Sequence, residues 1–182
     1  MTALTVLGAA LLGALTWTFM EYCIHRWLGH RWKRNVFGKE HTRHHSEGDY
    51  FAATPKKLGA ASLFLAVTAP PAIWVAGALA GGAWAVGLVG FYGYYEWLHR
   101  RAHTHGPRNA YGRWVRRHHF HHHFGDPRMN HGVTSPLWDA VFGTLQEPGQ
   151  IRVPRKLCMV WLKGPDGEIP PAFQADYALR GR

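Results

Sequence analysis

The chain has 182 residues, 47% of them hydrophobic, a formal charge of +10 and two cysteines. That length suits one domain, and two cysteines exclude both a disulfide framework and a cysteine-rich zinc module. Nor does the charge make it a nucleic-acid binder, because the basic residues are blocked rather than spread: eight Lys and Arg between Arg26 and Lys57 and thirteen between Arg100 and Arg182 account for all twenty-one.

Residues 1–20 contain no charged side chain, and neither do residues 58–95. Uncharged apolar stretches of that length read as bilayer spans, each of which needs about 20 residues. The first is expected over about residues 4–24, as a retained helix rather than a cleaved signal peptide, since no basic segment leads its apolar run. It should continue past the membrane surface into His25 and His30. Glu21 lies one turn before His25, placed either to accept from a metal-bound imidazole or to meet water or Arg26.

Residues 31–57 are polar, basic and aromatic. The apolar run that follows, 58–98, is too long for one span and fits two, about 58–79 and 83–98, with Ala80-Gly81-Gly82 as the reversal. Pro70-Pro71 is expected to kink or break the first of this pair. The second runs into His99 and His103. Glu96, one turn before His99, is placed to orient that ring or to pair with Arg100. Beyond Gly106-Pro107 the composition becomes that of a soluble protein. Residues 137–145 and 157–162 are too short to span and are expected along the interface. The proline-rich tail, 164–182, is expected to be irregular and solvent-facing.

The predicted architecture is an all-α polytopic membrane protein in one domain, 1–182, with about three transmembrane helices and a cytosolic histidine-rich helical cap from 25–57 and 99–163. A hairpin returns the chain to the side it left. Every Lys and Arg then falls on one face, which the positive-inside rule makes cytoplasmic, with the N-terminus opposite. Trp27, Trp32, Trp97, Trp114 and Trp138 are expected as interfacial anchors or cavity walls.

All fourteen histidines lie in four clusters or at His131. Such a concentration of imidazole points to metal binding. At helical spacing, His41 with His44 and His45, His99 with His103, and His119 with His122 and His123 can each aim two or three rings at one spot. His118-x-x-His121-His122 satisfies the last pattern equally well. His25 and His30, five apart, diverge by about 140° on an α-helix, so they address a site from two sides or the helix unwinds between them. One ion takes four to six ligands, so about ten imidazoles suit two ions. Ligand type does not choose among zinc, copper, iron and nickel. His105, His118, His121 and His131 are expected as neighbours of the site. A non-enzymatic membrane metal-binding or transport protein is the reading of a different class, but it calls for ligands along the spans, and residues 4–20 and 58–95 contain no His, Asp or Glu.

These motifs resemble the fatty acid hydroxylase superfamily, membrane enzymes that include sterol desaturases, fatty acid 2-hydroxylases and carotenoid ring hydroxylases. The resemblance runs through HX4H at His25/His30, HX2HH at His41/His44/His45, HX3H at His99/His103 and HX2HH at His119/His122/His123, and then HHF at His122–Phe124 and NHGVTSPLWDAVFGT at Asn130–Thr144. That closing stretch is the most specific part and selects the His119 register. The resemblance implies ten metal ligands, His25, His30, His41, His44, His45, His99, His103, His119, His122 and His123, supported by Glu21, Glu96, His118, His121, His131 or Asp139. It implies two metal ions, iron in the active enzyme and zinc in some purified or crystallised material, that activate O2 and insert one oxygen atom into a lipid C–H bond. Electrons would come from a separate donor protein. A fatty acyl chain is the expected substrate. The spacing from His30 to His41 also resembles the carotenoid branch, and sterol or lipid desaturation is a further alternative.

Overall fold

A computed structural model describes residues 2–181; Met1 and Arg182 of the expected domain lie outside the described residues. The chain divides into two compact units, Met1–Met20 with Ala52–Glu96 and Glu21–Phe51 with Trp97–Arg182.

The first unit is apolar and helical. Helix α1 spans Ala3–Cys23. Helix α3 spans Thr54–Thr104 and is broken at Gly77, whose φ of 81° and ψ of 161° only glycine adopts freely. The chain reverses there. A Cβ on Gly81 would stand 2.5 Å from the Cα of Ile73, whereas residues eight apart on a straight helix are about 12 Å apart. At the open end, Lys57 pairs with Glu96, about as far from Gly77 along one arm as along the other. Each arm is thus about 30 Å long, the thickness of a bilayer's hydrocarbon core. The reversal falls at Gly77 rather than at residues 80–82, and the helix runs unbroken through Pro70 and Pro71. A proline's φ suits a helix, so these two remove backbone donors without redirecting the chain.

Helix α1 packs on the returning arm through close backbone contacts that only glycine allows: Gly13 lies against Trp84 and Leu88, and Gly87 against Ala10. The Trp17 and Tyr92 rings meet at a tilt, centroids 4.6 Å apart, and Trp84 Nε1 donates to Thr16 Oγ1 at 3.2 Å. The other faces carry bare apolar side chains, with Leu4 80% and Trp74 86% exposed. A surface of this kind is unfavourable in water and suits a lipid environment.

In the second unit, α1 gives way to a π-helix over Ile24–Arg31, followed by α2 (Val36–Glu47), the last turns of α3, α4 (Ala110–Phe124) and α5 (Leu137–Val141). Asn35 and Asn109 cap α2 and α4, accepting from Gly38 N at 2.9 Å and Gly112 N at 2.7 Å.

The C-terminal region departs from expectation. Instead of an irregular tail, β1 (Ile151–Pro154) pairs in parallel with β2 (Tyr177–Arg180), Ile151 opposite Tyr177. Within the crossover between them, Val160 stays exposed while Met159 and Leu162 of residues 157–162 are buried, and then Ile169. Together with Ile151, Val153 and Tyr177 they form a core against Phe120 and Phe124 of α4. Buried Asp176 adds a clamp, accepting from Arg113 Nε at 2.6 Å and lying 3.4 Å from Arg117 Nε. The fold is therefore mostly helical, with one small sheet bracing the outer side of α4. The strand IRVP is short and the turns around it are proline-rich, so its pairing across 22 intervening residues, 155–176, leaves no local periodicity to read.

Candidate metal centre

The ten expected histidines gather into two groups. His25, His30, His41, His45 and His122 form one; His44, His99, His103, His119 and His123 form the other. Within each, one ring nitrogen from every residue lies within 4.8 Å of all the others. In the first, His30 Nε2 stands 2.8 Å from both His41 Nε2 and His122 Nε2. In the second, His99 Nε2 is 3.1 Å from the Nε2 of His44 and of His119, and His103 Nε2 is 2.9 Å from His119 Nε2.

These spacings fit metal. Two imidazoles bound at right angles to an ion at about 2.0–2.1 Å hold their nitrogens about 2.9 Å apart. Buried ring nitrogens without a protein partner, on His25 (Nε2), His45 (Nε2) and His123, point the same way, since such groups are costly unless a ligand takes one up.

Local structure explains the sorting. His25 and His30 meet because the backbone between them is a π-helix: i→i+5 bonding, closed by Trp32 N–H to Trp27 O at 2.7 Å, brings residues five apart onto one side. Their rings lie 5.3 Å apart. The helix does not splay the pair; it under-winds from α to π between them. The HX2HH motifs do not aim at one spot each, because successive residues on an α-helix are about 100° apart. On α2, His41 and His45 turn to the first group and His44 to the second; on α4, His122 goes to the first and His119 with His123 to the second. His45 and His123, from different groups, stack at 4.0 Å. The spacing ambiguity is also resolved: His118 bonds Asp139 at 3.3 Å and His121 turns outward to Gln146 at 3.0 Å, so neither joins a group.

Backbone carbonyls orient several rings. His44 Nδ1 donates to Tyr50 O at 2.7 Å, His122 Nδ1 to Met129 O at 2.7 Å and His25 Nδ1 to His131 O, which leaves each Nε2 lone pair facing its group.

Of the supporting residues expected from sequence, Glu21 holds no imidazole: it accepts from the backbone of Val133 and Thr134 and from Thr134 Oγ1 at 2.8 Å. Glu96 closes the α3 hairpin with Lys57 instead of orienting His99. His121 is a surface group. His131 is 2% exposed, its ring 5.3 Å from that of His122, and its role runs through its carbonyl. Asp139, fully buried, accepts from His131 N, Gly132 N and Thr144 Oγ1, each at 2.8 Å. The carbonyls of Tyr50, Met129 and His131 carried no sequence signal, because any residue type supplies a carbonyl.

Burial, reinforced by neighbouring imidazoles, holds His41, His119, His122 and His123 well below the usual histidine range. For the same reasons His45 is pushed down to about 2. The rings are therefore in the neutral, ligating form at physiological pH. Histidines of the unfolded chain take up protons near pH 6.5 while these do not, so the stability they contribute is present above about pH 6.5 and is lost as pH falls below it, by about 1.4 kcal/mol per pH unit for each such residue. Thermal unfolding of the metal-free protein in detergent between about pH 8 and pH 5 is expected to show a flat upper region and a steep loss below about 6.5. Stability that rises on acidification would mean that the folded rings accept protons.

Comparison with known proteins places this geometry. The family model for fatty acid hydroxylases matches residues 10–144, a stretch that includes all ten clustered histidines. The dihydroceramide fatty acyl 2-hydroxylase FAH2 of Arabidopsis thaliana is 32% identical over 147 residues, 73% of this chain and 58% of FAH2. The fatty acid 2-hydroxylase of Rattus norvegicus is 32% identical over 154 residues, 76% of this chain and 40% of that protein. The chain thus spans about half the length of these relatives. Among solved structures, full-length scs7p, of which only the hydroxylase domain is visible, matches with a TM-score of 0.65 at 24% identity over 81% of this chain and 58% of that one, a likeness of fold.

Proposed function

Because this chain belongs to the fatty acid hydroxylase family, we propose that it is a membrane oxidoreductase that hydroxylates a lipid acyl chain at a di-iron centre. The observation that carries this reading is the convergence of ten imidazoles from four helical segments into two five-membered groups. The names of the relatives point to the 2-position of a fatty acyl group, free or within a ceramide-type lipid. That reading takes precedence over ring hydroxylation of a carotenoid and over desaturation.

Iron bound to the two groups would supply the activation of dioxygen. Overall, C–H, O2, two electrons and two protons become C–OH and water, the electrons arriving from a separate donor protein. The chain's own residues hold ten imidazoles in place, orient His25, His44 and His122 through backbone carbonyls, and keep bulk water from the rings of His119 and His122, which are 1% and 0% exposed. In the bilayer, α1 and the two arms of α3 would make three spans. The block pattern of Lys and Arg favours a cytoplasmic site and an N-terminus on the other side.

The test is lipid profiling of cells expressing the protein under isotope-labelled dioxygen. The expected result is 2-hydroxy acyl chains carrying one labelled oxygen. Unchanged lipids from an iron-loaded, reducible enzyme would defeat the reading.

A further inference from the structure

Two carbonyls two residues apart, Met129 O and His131 O, accept Nδ1–H bonds from rings on two different helices, His122 of α4 and His25 of the π-helix. Both rings belong to the first group. The residue between them, Asn130, is fully buried and has φ 57°, a conformation asparagine tolerates better than most residues. Its amide is a two-bond clamp on Gln146, Nδ2 donating to Gln146 O and Oδ1 accepting from Gln146 N, each at 2.8 Å.

Two buried carboxylates fix the rest of the turn. Asp139 takes the amides of His131 and Gly132, Thr144 Oγ1 and His118 Nε2, two donors to each oxygen, so its acceptor sites are filled. Glu21 takes the amides of Val133 and Thr134 and the Thr134 hydroxyl. A carboxylate only accepts, so direction propagates outward. Thr144 donates to Asp139, Tyr22 donates to Thr144 at 3.0 Å, and Arg26 donates to Tyr22. Burial pushes the Asp139 carboxyl up, yet the bonds from His118, His131, Gly132 and Thr144 outweigh it and hold the group well below the usual carboxylate range.

We propose that residues 129–134 form a positioning strap for the first histidine group alone, in which the Met129 and His131 carbonyls aim His122 and His25 while Asn130, Asp139 and Glu21 hold those carbonyls in place. The second group draws on a separate segment, through the Tyr50 carbonyl on His44. The strap rests on the reading that both groups hold metal, and it predicts that the two can be uncoupled.

The test is titration of the purified metal-free protein with Co(II), following visible absorption and counting bound ions by elemental analysis. Wild-type protein is expected to take up two ions, with His122→Ala and His44→Ala identifying which step belongs to which group. Asp139→Asn keeps the shape but turns an amide NH2 toward two donors. It is expected to weaken the His122-dependent step by about 10–100-fold, the usual effect of losing an outer partner of a ligand, and to leave the other step unchanged. Asn130→Gly keeps the left-handed backbone and deletes only the clamp; the same selective loss is expected there, even if Asp139→Asn fails to fold. Equal weakening of both steps, or no change in either, overturns the strap. Failure of the wild-type protein to bind Co(II) overturns the metal reading itself, and the strap with it.

Discussion

His122→Ala is expected to abolish turnover, by well over the roughly 100-fold that losing an outer partner of a metal ligand costs, and to empty the first histidine group. His122 is wholly buried, its Nδ1 is committed to Met129 O and its Nε2 stands 2.8 Å from that of His30. Alanine there removes a ligand from the centre of the group and opens a polar gap that no neighbouring chain fills. His44→Ala and His103→Ala should do the same to the second group, to which both contribute. Elemental analysis of anaerobically purified protein is the measurement: about one ion per chain in each single variant against two in wild type. Full metal content in a variant would remove that residue from the site. His121→Ala is the control, because His121 faces Gln146 at the surface and should change neither metal nor rate.

Phe120→Ala is expected to cost about 3–5 kcal/mol, enough to lower the melting temperature in detergent by about 10 °C or more. Phe120 sits between His119 and His121 in sequence yet belongs to the C-terminal core, its ring 5.9 Å from Phe124, 6.2 Å from Trp161 and 6.4 Å from Tyr177. Its other edge meets the His103 ring at 5.1 Å. Truncation therefore loosens both the brace behind α4 and a wall of the second group, so metal content should fall along with stability. Val160→Ala, in the same C-terminal region but 86% exposed, should shift the melting temperature by less than about 2 °C. A Phe120→Ala protein that melts like wild type would show that α4 does not depend on the sheet behind it.

The placement of Glu21 and Glu96 shows where reading by spacing runs out. Both lie one turn from a histidine, and both find their partners elsewhere: Glu21 in the turn at Val133 and Thr134, Glu96 in Lys57 across the hairpin. A carboxylate at i−3 or i−4 gains only a few tenths of a kcal/mol from a neighbour on its own helix. Buried backbone amides need an acceptor at a cost several times larger if they go without one, so those of Val133 and Thr134 claim Glu21 first, while the opposite charge of Lys57 claims Glu96.

Charge-free apolar runs, the position of the basic blocks and the identity of all ten clustered histidines were legible in the sequence, because hydropathy and residue chemistry are properties of a segment by itself. Tertiary structure alone decided that Gly77 makes the reversal, that a π-turn unites His25 with His30, that adjacent histidines divide between two groups, and that a small parallel sheet braces α4. Each of these turns on where one segment's backbone meets another's. Periodicity along a single chain carries no information about such meetings.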